Sequence, residues 1–265
     1  SNDPVARKNF GPYTDGFIKI EYDNLTALQE ALENNKNVAG FLVEPIQGEA
    51  GVYVPSEGYL AAAKALCEKH GVLFIADEVQ TGIARTGRLL ATCGDCSCEN
   101  KNCSGTPEVK PDVLILGKAL SGGAYPVSAV LANDAIMNVI KPGNHGSTFG
   151  GNPLAMSVGS AVLEVILKKG FLKNVTKISS YFHLKLNKLQ KQYPKIIKEV
   201  RGKGLLIGLC LYKDQTNFIQ KLMDNKLLTI RAAENVVRLL PPLNVTKQEI
   251  NLGIKIIDKV CRNYR

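Results

Sequence analysis

Three apolar runs, each ending in charged or amide side chains, constrain this chain more than any other feature. Val38-Ala39-Gly40-Phe41-Leu42-Val43 ends in Glu44, Gln47 and Glu49. Val72-Leu73-Phe74-Ile75-Ala76 ends in Asp77, Glu78 and Gln80. Asp112-Val113-Leu114-Ile115-Leu116-Gly117 delivers Lys118 into the glycine-rich turn Ala119-Leu120-Ser121-Gly122-Gly123. Continuous apolar runs of this length read as strands buried on both faces of a parallel sheet. Ligands of such sheets sit at the carboxyl ends of the strands. Asp77, Gln80 and Lys118 are therefore expected to meet in one crevice.

The segments between and after these runs predict an α/β fold followed by a smaller α+β unit. Asp23-Asn24 caps a helix through Leu25, Leu28 and Leu32, and a second helix spans Tyr59 to His70, stopped by Gly71. After Lys118 come a strand at 128–132, a helix at 135–139, and the loop His145-Gly146-Ser147-Thr148-Phe149-Gly150-Gly151-Asn152-Pro153. That loop is rich in backbone and hydroxyl donors, and it opens a helix running to about residue 168, with Pro153 well placed at its start. It suits a phosphate or a structural turn equally. From Phe171 the chain turns to lysine-rich helix. The glycines of Val200-Arg201-Gly202-Lys203-Gly204 then form a turn feeding a strand, because no helix follows where a dinucleotide fingerprint needs one. A helix at 217–224, strands near 228–230 and 236–240, and a last helix from Lys247 to Arg262 complete the unit. The boundary is expected at 170: a large domain over 1–170 and a small one over 171–265.

Charge is unevenly placed. Residues 1–165 carry 12 Lys+Arg against 18 Asp+Glu, a net −6, whereas residues 166–265 carry 21 against 6, a net +15. The basic rear reads as the solvated face of amphipathic helices, since no aromatic-interleaved patch accompanies it. Neither a nucleic-acid nor a membrane partner is expected, no apolar stretch reaches the length of a bilayer span, and no signal peptide opens the chain. Four of the seven cysteines, Cys93, Cys96, Cys98 and Cys103, share one polar loop. Zinc binding, a redox pair and a surface insertion with free thiols are the alternatives there, none of them catalytic.

A lysine at a strand end can bind phosphate, act as a base, or form an imine. The P-loop reading fails, because Ala119 follows Gly117-Lys118 and Asp112 stands where a glycine is required. Pyridoxal 5'-phosphate requires a lysine, an acid for its ring nitrogen and donors for its phosphate. Lys118, Asp77, Ser147 and Thr148 supply those types. A carboxylate beside the ring nitrogen favours its protonated form.

The motifs Glu44-Pro45-Ile46-Gln47-Gly48-Glu49, Ala76-Asp77-Glu78-Val79-Gln80-Thr81-Gly82, Gly117-Lys118-Ala119-Leu120-Ser121-Gly122-Gly123 and His145-Gly146-Ser147-Thr148-Phe149-Gly150-Gly151-Asn152-Pro153 resemble, in order, those of class III aminotransferases of the ornithine/acetylornithine group. The resemblance covers the chain apart from the cysteine loop. It implies a fold-type I pyridoxal-phosphate transferase in which Lys118 carries the cofactor, Asp77 partners the ring nitrogen, Val79 packs on the ring and Gln80 reaches the ring hydroxyl. Ser147 and Thr148 would reach the phosphate of a cofactor in the neighbouring subunit, so a homodimer with shared sites is implied. Arg238 corresponds to the arginine that takes a substrate carboxylate, and Glu49 to the acid that pairs with it in the ornithine branch. The substrates implied are an amino acid and a 2-oxo acid: L-ornithine with 2-oxoglutarate, giving glutamate 5-semialdehyde and glutamate. Acetylornithine is the alternative donor. Family members also carry a long portion before the Asp3-Pro4 region, which supplies further cofactor contacts. The chain is therefore expected to be N-terminally truncated, possessing only part of the site, with an inactive fragment as one alternative. The cytosol or the mitochondrial matrix is the expected compartment.

Overall fold

In the computed structural model the described residues are 7–93 and 109–264. Two four-stranded sheets organise them. The first contains β1 (Gly40–Val43), β2 (Leu73–Asp77), β3 (Val113–Leu116) and β4 (Ala129–Ala132), in that spatial order. β1, β2 and β3 run parallel, with Val43 beside Ala76 and Asp77 beside Ile115, and β4 closes the edge antiparallel to β3. The mostly parallel α/β sheet expected from the apolar runs is present. Each strand starts one or two residues later than the run, because the first residues of each run serve as the connection into the sheet.

Helices α1 (Leu25–Asn34) and α2 (Tyr59–His70) pack against this sheet. Asn24 caps α1 by accepting from the Ala27 amide, and α2 ends where Gly71 turns left-handed at φ 67°. Leu28, Leu32, Tyr59, Ala63 and Cys67 join Val43, Phe74 and Ala76 in one core. Burial on both faces, expected for these strands, is not found: full burial holds on one face of β2, which Phe74 and Ala76 share, while Leu73 and Ile75 on its other face are half-buried. Phe74 and Ala76 are fully buried, but Leu42 on the edge strand β1 is 57% exposed, and Val130 and Leu131 on β4 are also exposed. An edge strand has a neighbour on one side only, so hydropathy alone overstates its burial.

A short helix α3 (Asp134–Met137) and then α4 (Pro153–Ile166) follow β4. Pro153 occupies the first turn of α4, and the Asn152 side chain accepts from the Ala155 amide. The second sheet has the order β5 (Ile197–Lys203), β6 (Leu206–Leu211), β8 (Val236–Leu239), β7 (Ile230–Ala232), antiparallel throughout. Val200 to Lys203, expected as a turn, are the end of β5, and Gly204 makes the turn into β6 at φ 64°.

Helices α5 (Phe171–Gln192), α6 (Gln215–Asp224) and α7 (Lys247–Arg262) cover this sheet. α5 buries Leu172, Val175, Ile178, Phe182, Leu186 and Leu189, a stripe at helical spacing, and turns its lysines outward. A capping box of Thr246 and Glu249 starts α7. Together they enclose the largest core, with Ile197, Leu205, Ile207, Leu209, Phe218 and Leu222 all fully buried. Among the described residues, no helix is long and apolar enough to cross a membrane.

Candidate active site

β2 ends in Asp77, whose Oδ1 accepts the Val79 amide at 3.1 Å, so the chain turns sharply back on its own carboxylate. Glu78, next in sequence, turns inward and is fully buried. Its Oε1 accepts from the Thr92 amide at 2.8 Å and the Thr92 hydroxyl at 2.9 Å, while Oε2 accepts from the Ala91 amide at 3.0 Å and from Thr81. This carboxylate is held entirely by N–H and O–H donors, and it pins the residues after β2. The Val109 amide donates to the Thr92 carbonyl at 3.1 Å. Cys96, Cys98 and Cys103, the sequence candidates for a zinc or redox loop, lie outside the described residues. Cys93 is a half-buried free thiol that burial pushes up in pKa.

Lys118 follows β3 by two residues. Its backbone is left-handed at φ 42°, an uncommon conformation for a residue with a side chain, and it leads a short 3-10 turn over Lys118–Ser121. That turn is anchored by Leu120, which is buried beside α4, and by Gly122. A Cβ at Gly122 would stand 2.6 Å from Val162 of α4, so only glycine lets the turn approach the helix so closely. Behind the lysine, a Cβ on Gly117 would meet the Val79 side chain at 3.3 Å. Val79 therefore lies directly beside the Lys118 turn. The Glu78 amide donates to the Ile115 carbonyl at 3.0 Å, which fixes the end of β2 against the end of β3. Asp77, Val79 and Lys118 thus share one end of the first sheet; of the three side chains expected to meet, Asp77 and Lys118 stand at these strand ends, while Gln80 turns its carboxamide to Arg238 and Glu49.

Glu44, at the end of β1, completes this row beside Asp77. Burial raises its pKa; the Gly48 amide, which donates to its Oε2 at 3.2 Å, opposes the rise, the Asp77 charge adds to it, Lys118 opposes it and Glu49 adds again. Tyr22 approaches from below, its hydroxyl within hydrogen-bond reach of the Glu44 and Pro45 carbonyls at 3.1 and 3.0 Å, and burial raises its pKa. Neither Tyr22 nor the buried character of Glu44 was legible as part of a site. The available signals were the place of Glu44 at the end of the first apolar run and in its motif.

From the second sheet, β8 contributes Arg238, whose side chain is 3% exposed. Its Nη1 donates to Glu49 Oε1 at 2.6 Å and to Gln80 Oε1 at 3.0 Å, while its buried Nε has no partner. Gln80 Nε2 in turn lies 3.5 Å from Glu49 Oε1. The structure thus brings Glu49, Gln80 and Arg238 into one cluster. Gln80, which the motif assigned to a ring hydroxyl, spends its carboxamide here on Arg238 and Glu49. A guanidinium is suited to a carboxylate, and an exposed glutamate on it is a natural competitor for one.

Ser147 and Thr148 stand apart. Their loop is exposed, Ser147 Oγ accepts the Gly150 amide at 3.0 Å, and among the described residues neither hydroxyl bonds to Asp77 or Lys118. Large apolar side chains surround this stretch in the open: Val139 is 75% exposed and Phe149 76%, with Ile140, Leu154 and Met156 similarly bare.

The donor set fits the ring half of pyridoxal 5'-phosphate. Asp77 offers an acid for a ring nitrogen, Lys118 an exposed amine for an aldehyde, and Val79 an apolar surface next to both. No group of metal-binding side chains occurs among the described residues.

Residues 2–261 match the protein family described as Aminotransferase class-III. A mitochondrial ornithine aminotransferase of Drosophila ananassae is 48% identical over 98% of this chain and 57% of its own length. An ornithine aminotransferase structure from Toxoplasma gondii superimposes with a TM-score of 0.90 at 42% identity, covering 99% of this chain and 60% of that one. An acetylornithine aminotransferase structure from Elizabethkingia anophelis gives a TM-score of 0.85 at 49% identity, over 95% of this chain and 64% of that one. The chain spans about three fifths of the length of the relatives it matches.

Proposed function

Because this chain belongs to the class-III aminotransferases, we propose that it forms the lysine-bearing part of a pyridoxal-phosphate enzyme that moves the terminal amino group of L-ornithine to 2-oxoglutarate. The observation that carries this reading is the Arg238–Glu49 contact at 2.6 Å, close to the strand ends that present Asp77 and Lys118. Relatives described as ornithine aminotransferases, 45–48% identical to it, support the same reading. The unit from 171 onward, with its own sheet and core, is read as the small domain.

When bound, the cofactor withdraws electrons from the carbon that carries the substrate nitrogen. The protein's own residues do the rest. Asp77 holds a proton on the ring nitrogen, and its carboxylate is kept in place by the Val79 amide. Lys118 would hold the cofactor through its aldehyde group, and its amine, when free, would be the base that takes the proton from the substrate carbon bearing the nitrogen. Its placement on a left-handed turn packed on α4 fixes the residue at the strand ends. Val79 excludes water from one side of the ring.

Arg238 and Glu49 select which end of the substrate enters. With ornithine, whose reacting end carries no carboxylate, Glu49 stays on Arg238 and neutralises it. With 2-oxoglutarate, a carboxylate of the acceptor displaces Glu49 from Nη1 and takes its place on the guanidinium. One pocket then serves both half-reactions.

Two copies are proposed to assemble, each offering Ser147 and Thr148 to its neighbour's phosphate site. The bare apolar side chains from Val130 to Met156 support this, since exposed patches of that kind mark association surfaces. Sedimentation of the holoenzyme tests it, and a monomer at micromolar concentration removes the shared-site arrangement.

The function is tested by adding pyridoxal 5'-phosphate and following visible absorbance. A band is expected that is missing in Lys118→Ala and that changes with L-ornithine. If the wild-type protein gives no band, the reading fails for this chain. A band that responds to acetylornithine and not to ornithine moves the assignment to the other branch, to which the Elizabethkingia structure points.

A further inference from the structure

Glu49 sits on a small hairpin, and that hairpin is gripped by two arginines. Gln47 and Tyr53 pair as an antiparallel bridge, with N–H···O distances of 3.0 and 2.9 Å, and residues 48–52 form the tip. The tip lies on the second sheet over Gly208. Gly208 is the row partner of Arg201 on β5 and of Arg238 on β8, so the two arginines stand in one row on either side of a residue without a side chain. Residues directly opposite across antiparallel strands project to the same face. Val52, fully buried, fills the gap: a Cβ on Gly208 would meet the Val52 side chain at 3.1 Å.

On one side of this gap Arg238 holds Glu49. On the other, Arg201 Nε donates to the Gly51 carbonyl at 2.8 Å, and its guanidinium carbon lies 4.1 Å from the centre of the Tyr53 ring. The Tyr53 hydroxyl donates to Glu234, whose backbone is left-handed at φ 58° in the β7–β8 turn. In that same turn, the Ala233 amide donates to the Glu49 carbonyl at 2.9 Å. The Arg201–Glu234 ion pair is long, at 3.9 Å, with Glu234 62% exposed, so solvent screens it. The Gly51 hydrogen bond and the stacked ring, on an arginine only 17% exposed, carry the grip.

We propose that Arg201, Tyr53 and Glu234 are positioning residues for Glu49: they clamp the 47–53 hairpin to the small sheet and so set how strongly Glu49 competes with substrate carboxylates for Arg238. With the hairpin clamped, only the Glu49 side chain has to swing away when an acceptor arrives. With the clamp released, the whole hairpin moves, Glu49 spends less time on Arg238, and substrates with a carboxylate at the reacting end gain at the expense of ornithine. The clamp tunes selectivity from the side of the hairpin that does not touch substrate. It deepens the proposed function and rests on Glu49 and Arg238 being the carboxylate switch.

The test uses the holoenzyme with Arg201→Met, which keeps bulk and loses every donor, and Tyr53→Phe, which keeps the ring and loses the hydroxyl. Deuterium uptake in the peptide covering 47–53 is expected to quicken about tenfold in Arg201→Met and about threefold in Tyr53→Phe. Single-turnover efficiency with L-ornithine relative to L-glutamate, followed by cofactor absorbance, is expected to fall in the same order. Unchanged uptake at 47–53 overturns the proposal. So does quickened uptake with both substrates slowed by one common factor, which is what a merely structural role produces. If the wild type converts neither substrate, the carboxylate-switch reading fails and the selectivity half of the proposal falls with it. The uptake measurement then still decides whether the clamp exists.

Discussion

Gly204, in the turn between β5 and β6, packs against the backbone of residues 85 and 86, and replacing it with alanine gives a prediction with a calculable size. Its φ is 64°, and a Cβ there would stand 2.3 Å from the Thr86 carbonyl carbon, 2.5 Å from Thr86 Cα and 2.6 Å from the Arg85 carbonyl oxygen. All three are backbone atoms that cannot rotate away. The left-handed conformation alone costs about 1–2 kcal/mol for a residue with a Cβ. Relieving the overlap requires the 85–86 segment and the β5–β6 turn to separate, which stretches the Leu205 amide to Arg85 carbonyl bond of 2.9 Å. That adds about 1 kcal/mol. The movement also draws Arg85 from the Pro241 carbonyl, which its Nη1 reaches at 2.6 Å in a site where burial lowers the guanidinium pKa. A total near 3–4 kcal/mol follows for Gly204→Ala. Gly58→Ala is the control: φ is 79°, and no atom lies within 4 Å of the added carbon, so only the conformational cost of about 1–2 kcal/mol applies. The chain contains no tryptophan, so urea unfolding is best followed by far-ultraviolet circular dichroism. If Gly204→Ala lies within about 0.5 kcal/mol of Gly58→Ala, the close-approach argument is refuted.

Removing the buried carboxylate in Glu78→Ala strands the Ala91 and Thr92 amides and two hydroxyls, and should lower stability by about 3 kcal/mol in the same urea assay. Phe218→Ala empties a fully buried position on α6 whose ring meets Tyr264 edge-on at 5.1 Å; about 3–5 kcal/mol should be lost. Glu44 gives a pH signature. Its folded pKa is raised above the unfolded 4.5, so the stability held by its protonated form is complete below that value and disappears as pH rises through the folded pKa. Urea midpoints measured from about pH 4 to about pH 8 should therefore show wild type losing ground to Glu44→Gln just above the unfolded value, then running parallel to it. A constant gap across the range would exclude a raised pKa.

How much could be read in advance differs between the two halves of the site. Asp77 and Lys118 end apolar runs, and parallel strands place such ends together, so local pattern and one topological rule suffice to predict their meeting. Helices expected from about Tyr59 to His70 and from about Lys247 to Arg262 are likewise found, with Gly71 marking the end of the first in the sequence and the Thr246–Glu249 capping box of the second seen only in the structure. The β5 strand was missed in part because Gly202 and Gly204 read as turn residues. Gly202 in fact lies within the strand at φ 121°, tucked against the Leu206 carbonyl.

What the sequence by itself determined is which residues can do chemistry and the order in which they come: an acid, a lysine and a set of strand ends to hold them. Local pattern does not say who meets whom across long separations: the family resemblance implied the Glu49–Arg238 pair, and only the tertiary structure shows how it forms. Glu49 and Arg238 are 189 residues apart, and their partnership depends on a hairpin lying in the row between Arg201 and Arg238 over Gly208. It also turned Glu78 away from its neighbour Asp77 into a buried nest of amides, and sent Gln80 to Arg238. Adjacent residues after a strand point in different directions, and nothing in one-dimensional pattern states which neighbour will be waiting there.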